Sequence, residues 1–183
     1  MRISRDKMLE NRRAILDAAA RLFREQGFEA VTVAAVMQAA GLTHGAFYNH
    51  FESKDDLIAK TFAHILLPEP AQDRFAGVVL DDFARGYLSP RHRDDPGEGC
   101  VFAALGGEGA RCGKAARQVM TEGARRQIER MAQDAPGATP EERRRAAIQR
   151  YAAMVGAMVL ARAVDDTALS DEVLAATLQG VTA

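Results

Sequence analysis

The chain has 183 residues, enough for one substantial core or for a small domain joined to a larger one. Its 48% hydrophobic and 27% charged content is ordinary for a water-soluble fold, and a net charge of -1 excludes a polycation that coats nucleic acid, so any DNA contact must come from a local patch. Two cysteines are too few for a disulfide framework and point to a reducing cytoplasm. The first residues lack the apolar stretch of a signal peptide, and the longest apolar run, Tyr151–Ala161, is too short to span a bilayer, so no membrane association is expected.

In chain order, Met1–Arg13 holds Arg2, Arg5, Lys7, Arg12 and Arg13 against Asp6 and Glu10. It reads either as a flexible arm that reaches phosphates or a minor groove, or as a solvated, frayed terminus. A first helix is expected over about 11–26, where Ile15, Ala18, Ala19, Leu22 and Phe23 form one apolar stripe, with Gly27 as a left-handed C-cap. Thr32 is placed to cap a second helix carrying Val33, Val36, Met37 and Ala40. Gly41 breaks that pattern, Leu42 closes the turn, and Thr43 is expected to cap a third helix ending near His50. Ser53 caps a fourth, with Asp55 and Asp56 in its first turn and Leu57, Ile58, Phe62 and Ile65 on its apolar side. Beyond the Pro68-Glu69-Pro70 break the pattern predicts helices over roughly 71–88, 100–111, 114–133, 140–164 and 170–180, with a polar loop over 90–99. No strand pattern of useful length occurs.

The fold class expected is therefore all-α. Residues 1–52 make an N-terminal arm and three-helix head with a helix-turn-helix, 53–67 a connecting helix, and 68–183 a larger helical domain.

Residues 32–54 carry the chemistry. Phe47 and Phe51 lie four apart and share a buried face, which leaves Thr43, His44, Tyr48 and His50 on other sides. Gly45 and Ala46 present almost no side chain, so this helix can approach a groove closely. His44 and Asn49 can hydrogen-bond base edges, and Asn suits adenine in the major groove. The Thr43 and Tyr48 hydroxyls and the Lys54 ammonium suit phosphates, as do backbone amides beside Thr32 and Val33. Double-stranded DNA is the partner this set implies.

The ordered segment AAGLTHGAFYNHFESKDDL at 39–57 closely resembles the TetR family of bacterial transcriptional regulators, and the resemblance extends over about Arg12–Phe62. Ala40, Gly41, Leu42, Thr43, Gly45, Phe47, Tyr48, Phe51 and Lys54 occupy the family's pattern positions. The resemblance implies a homodimer on an inverted-repeat operator, usually a repressor released by a small ligand. Two places depart from the pattern: His44 is often Lys in the family and Ala46 is often Thr. Losing a fixed charge and a hydroxyl shifts the expected affinity toward Lys54, Tyr48 and the N-terminal arm.

In the second half, Phe75, Val79, Phe83, Cys100, Phe102, Leu105, Met120, Ile128, Met131 and Tyr151 read either as ordinary core or as the lining of an effector pocket, for which the resemblance implies a small apolar or electrophilic ligand. Ile148, Tyr151, Val155, Met158, Val159 and Arg162 fall on one stripe, with Val173, Leu174 and Leu178 on the following helix. Either this stripe packs inside the monomer, or two such helices from each of two chains make a four-helix bundle. Cys100 follows Gly99 at a helix start, where amide dipoles can activate a thiol. The segment GCVFAALGGEGAR at 99–111 also resembles, less specifically, TetR-family members that sense electrophiles or oxidants through a cysteine; the alternative is a packing residue.

The glycines at 106, 107, 109 and 113 fail as a phosphate loop, because that motif needs Gly at 108 and Ser or Thr at 115, where the chain has Glu and Ala. His92, Asp94, Asp95, Glu98 and Cys100 show no metal-ligand spacing, and no metal or other cofactor is expected. No catalytic order of residues points to an enzyme. A DNA-binding activator that needs no small ligand stays open.

Overall fold

A computed structural model of the chain describes residues 4–69 and 77–182. Among the described residues the fold is helical throughout, with no strand. Helix α1 spans Arg5–Ala30, α2 Val33–Ala39, α3 Lys54–Leu66, α4 Leu80–Tyr87, α5 Pro90–Asp94, α6 Val101–Gly109, α7 Lys114–Asp134, α8 Pro140–Ala163 and α9 Thr167–Thr182, with 3-10 turns at His44–Asn49 and Pro96–Glu98. No described helix is long and apolar enough to cross a membrane.

Helix α1 begins earlier than its apolar stripe predicts. The Ser4 hydroxyl accepts from Lys7 N–H, so Arg5, Lys7, Arg12 and Arg13 ride on a helix rather than on a flexible arm. Gly27 breaks the helix at φ 79° and ψ 170°, a conformation open only to glycine and further extended than the expected left-handed cap. The Thr32 and Ser53 caps form as expected, each hydroxyl accepting from the N–H three residues on. The region read as a polar loop over 90–99 instead holds α5 and a 3-10 turn, with Ser89 capping His92 N–H and Pro90 in the first helical position. The helix expected from about residue 71 is seen as α4, and the start of that stretch lies outside the described residues, as does Phe75.

Two cores organise the molecule. The first joins Ile15, Phe23, Val36, Met37, Phe47, Leu57 and Phe62 of the head to Val101, Leu105 and Met120 of α6 and α7. The second joins Leu80, Tyr87, Met131, Met154, Met158, Leu174 and Val181 from α4, α7, α8 and α9. The first core thus continues past residue 68. Helix α6 and the 3-10 turn before it make the junction: Glu108 Oε2 accepts from the Phe28 N–H at 2.9 Å, and Arg24 of α1 donates to the Gly97 carbonyl.

Candidate nucleic-acid interface

The turn before the recognition segment is set by one glycine. Gly41 adopts φ 70°. Its N–H reaches the Gln38 carbonyl at 3.0 Å, while Leu42 N–H reaches Met37 O at 2.9 Å, which satisfies the last carbonyls of α2. The chain then enters a six-residue 3-10 helix, His44–Asn49, where an α-helix is expected. Thr43 makes no side-chain cap there, so its hydroxyl stays available. Six residues without a cap cannot propagate an α-helix, and the tighter 3-10 winding is the form short pieces take.

Tertiary anchors hold this short element. Phe47 and Phe51 are 1% and 2% exposed and stack at 5.5 Å. Each buried ring is worth roughly 1.5–3 kcal/mol. With Phe47 turned inward, its neighbours turn outward: Tyr48 is 70% exposed, its ring edge-on to Phe47 at 5.2 Å. Thr43, His44, Gly45 and Asn49 are exposed, and a Cβ at Gly45 would meet nothing within 4 Å. Among the described residues the side chains of Thr43, His44, Tyr48, Asn49 and Lys54 make no hydrogen bond or ion pair. A row of polar groups without intramolecular partners, mounted on a buried aromatic pair, is ready to exchange water for another polar surface.

The flanks differ from the sequence reading. The Thr32 hydroxyl is committed to Ala35 N–H at 3.1 Å, leaving only the backbone there for an anion. Val33 is half-buried against the first core. His50 is also half-buried; burial first and the Arg12 charge second hold its imidazole below the ordinary 6.5. Lys54 is half-buried at the start of α3. Burial works against ionising Asp56, but the Lys60 ammonium at 2.6 Å and the Glu52 N–H outweigh it and keep the carboxyl below its ordinary value.

Residues 15–61 match the model of the tetR family of bacterial regulatory proteins. The HTH-type transcriptional repressor Rv1474c of Mycobacterium tuberculosis is 34% identical over 86 residues, 45% of this chain and 46% of that protein. The HTH-type transcriptional repressor AcnR of Corynebacterium glutamicum is 34% identical over 94 residues, 49% of this chain and 47% of that protein. The match thus spans about half the length of these curated relatives. A TetR-family transcriptional regulator from Agrobacterium tumefaciens shares the fold over 96% of this chain and 99% of its own, with a TM-score of 0.75 at 22% identity.

Residues 15–61 form a domain of the TetR family. Its relatives are regulators rather than enzymes, and the helix-turn-helix lies inside the matched segment.

The body of the chain divides the expected pocket residues between the two cores. Phe102, Leu105 and Met120 pack with the head, whereas Phe83, Cys100, Ile128, Met131 and Tyr151 pack in the second core. The two groups meet where Phe102 stands edge-on to Tyr151, ring centroids 6.0 Å apart. Val79 is exposed just before α4. Phe83 and Met131 flank a cavity of about 10 Å³, the size of one water.

Around Cys100 the geometry is polar and specific. His92 Nδ1 lies 2.7 Å from Tyr87 O and its Nε2 2.9 Å from the Cys100 N–H, which fixes a neutral imidazole protonated on Nδ1. Cys100 Sγ sits 4.0 Å from Tyr151 Oη. Burial pushes the Tyr87 and Tyr151 phenols far up from their ordinary values, and proximity to Cys100 adds to the shift. Among the described residues the buried Arg162 Nη1 has no hydrogen-bond partner, and the buried Tyr87 Oη has none within normal distance, with Cys100 as its polar neighbour. Among the described residues no three His, Cys, Asp or Glu side chains are grouped to hold a metal.

The expected interface stripe also divides. Met158 and Leu174, 0% and 2% exposed, belong to the monomer core. Arg162 is spent on the His92 and Arg93 carbonyls, at 2.6 and 3.0 Å. Ile148 and Val159 stay on the surface, 43% and 46% exposed. Tyr151, Val155, Val173 and Leu178 are half-buried against the second core. Periodicity names a stripe, but a helix packed on both sides uses part of that stripe internally.

Proposed function

We propose that this chain is a sequence-specific DNA-binding transcriptional regulator of the cytoplasm, a homodimer that represses from an inverted-repeat operator and is released by a small effector. The observation that carries the reading is the outward row Thr43, His44, Tyr48 and Asn49 on the buried Phe47–Phe51 pair. Asn49 and His44 read base edges, while Thr43, Tyr48, Lys54 and the amides by Thr32 and Val33 meet phosphates. An effector acts only through unequal affinity for two separations of the heads. The small cavity at Phe83 and Met131 must open to admit one, and α3, packed on α7, carries the difference to the head. The test is selection from a random duplex pool, followed by mobility shift with and without candidate effectors. Enrichment of a palindrome supports the reading; a monomer indifferent to every duplex at low salt ends it.

A second reading is favoured by the buried donors around Cys100: the effector is an electrophile or oxidant that modifies this thiol. Mass spectrometry after mild electrophile treatment, run beside DNA binding, tests it. Unmodified Cys100, or modification without loss of binding, ends that reading.

A further inference from the structure

Arg12 lies on α1, outside the helix-turn-helix. A basic terminus reaching for DNA would turn it outward. In the fold its guanidinium turns to the protein: Nη1 donates to the His50 carbonyl at 2.6 Å, across 38 residues of chain, and the group lies 4.7 Å from the centre of the Phe51 ring. His50 is the residue that ends the recognition helix, at φ -121° and ψ -34°.

Such a short helix has little means of holding itself. Its N-terminal side has no side-chain cap, and Phe47 O is shared between the His50 and Phe51 N–H groups at 2.9 and 3.0 Å. The next carbonyls need donors from elsewhere, and a cation at this end complements the helix dipole. Arg12 supplies both. From the other side Lys60, 5.7 Å from the Phe51 ring, binds Asp56, whose Oδ2 accepts from the Glu52 N–H. Residues 50–52 are thus gripped between α1 and α3.

We propose that Arg12 is a positioning residue for DNA readout: it clamps the C-terminal end of the recognition helix and fixes the angle at which Tyr48 and Asn49 are presented, without touching DNA itself. The proposal rests on the DNA-binding reading above. A guanidinium suits this post because its planar fork can donate a hydrogen bond and stack on a ring at once.

The test compares wild type with Arg12→Ala and Arg12→Lys on a duplex enriched by the wild type and on a scrambled duplex, by fluorescence anisotropy over a salt series. His50 is titrated in parallel by NMR. For Arg12→Ala the affinity for the enriched duplex falls by about tenfold or more, while the scrambled duplex and the salt slope change little. The His50 titration moves up toward 6.5 as the Arg12 charge is removed. Arg12→Lys, which keeps the charge and a donor, recovers part of the selectivity. Should Arg12→Ala unfold, Arg12→Gln carries the same comparison, with a donor and no charge. Equal losses on both duplexes with a salt slope shallower by about 1 make Arg12 a phosphate contact and overturn the proposal. Wild-type selectivity, or an unmoved His50, in the folded variant also overturns it. A wild type that enriches no duplex removes the DNA-binding reading itself, a failure separate from one confined to Arg12 variants.

Discussion

Phe47 and Tyr48 are adjacent and have opposite fates, one 1% and the other 70% exposed. That contrast is the physical core of the candidate interface: apolar area pins the backbone while polar tips face outward. The same logic separates Lys54 from Asn49. Lys54 offers a point charge, so Lys54→Ala is expected to weaken all duplexes alike and reduce the salt slope by about 1 per half-site. Asn49 offers a paired donor and acceptor, so Asn49→Ala is expected to lose about 1–3 kcal/mol of discrimination while the salt slope holds. Anisotropy on enriched and scrambled duplexes checks both; identical profiles for the two variants contradict these roles. Acid acts on the neighbouring residues. His50 and Asp56 both titrate below their ordinary 6.5 and 3.8, so the folded head takes up protons less readily than the unfolded chain. Their contribution is present in full above those values and is lost as pH falls, His50 first. The expected outcome is a lower melting temperature at pH 5 than at pH 7.5, with a smaller drop in His50→Gln. Circular dichroism melts check it, and an equal drop in the variant rules His50 out as the cause.

At the level of elements, what could be read from the sequence was what local spacing controls. The stripe of α1, the Thr32 and Ser53 caps and the turn at Gly41 all follow from neighbours within a few residues. Helix α8 starts at Pro140 behind a full capping box between Thr139 and Glu142, again a local signal. The pair Ser89-Pro90 is the matching signal for α5, which a charged run of Arg, His and Asp obscured. Contacts across long separations left no such trace. Nothing near Arg12 points to His50, and nothing near Glu108 points to Phe28, 80 residues away. Glu108 is the link from α6 to the end of α1. A Cβ at Gly27 would come within 2.7 Å of its Oε1, so the glycine leaves room for the carboxylate. Glu108→Ala leaves the Phe28 N–H without its acceptor beside the Phe23 and Phe62 rings, and the expected cost is about 1–3 kcal/mol. Glu108→Gln keeps an oxygen acceptor and should cost less. Urea denaturation followed by circular dichroism measures the difference; equal stability of wild type and Glu108→Ala excludes the link.

The whole molecule has one more face to account for. Helices α8 and α9 pack on each other and supply much of the second core, yet Ile148, Val159, Leu160 and Leu169 remain 43–52% exposed. Ile148, Ala152, Val155 and Val159 recur at spacings of four, three and four, so they share one side of α8, and Ala152 and Gly156 leave room for a close helix approach. Exposed aliphatics in a row, beside small residues, favour a partner with the same face. A twofold interface is self-complementary, so a charge placed there appears twice and faces its own copy across a short distance. Val159→Glu is therefore expected to turn a dimer into a monomer with little change in monomer fold, since the side chain lies outside both cores. Inverted-repeat DNA binds a dimer through two half-sites at once, and losing one contact set removes that gain in effective concentration. The variant should lose at least about tenfold in affinity for the full palindrome while its affinity for a single half-site stays at the wild-type level. Analytical ultracentrifugation beside anisotropy checks the pair of outcomes. A Val159→Glu protein that still sediments as a dimer places the interface elsewhere, and a wild type that sediments as a monomer while binding the palindrome tightly removes the twofold reading altogether.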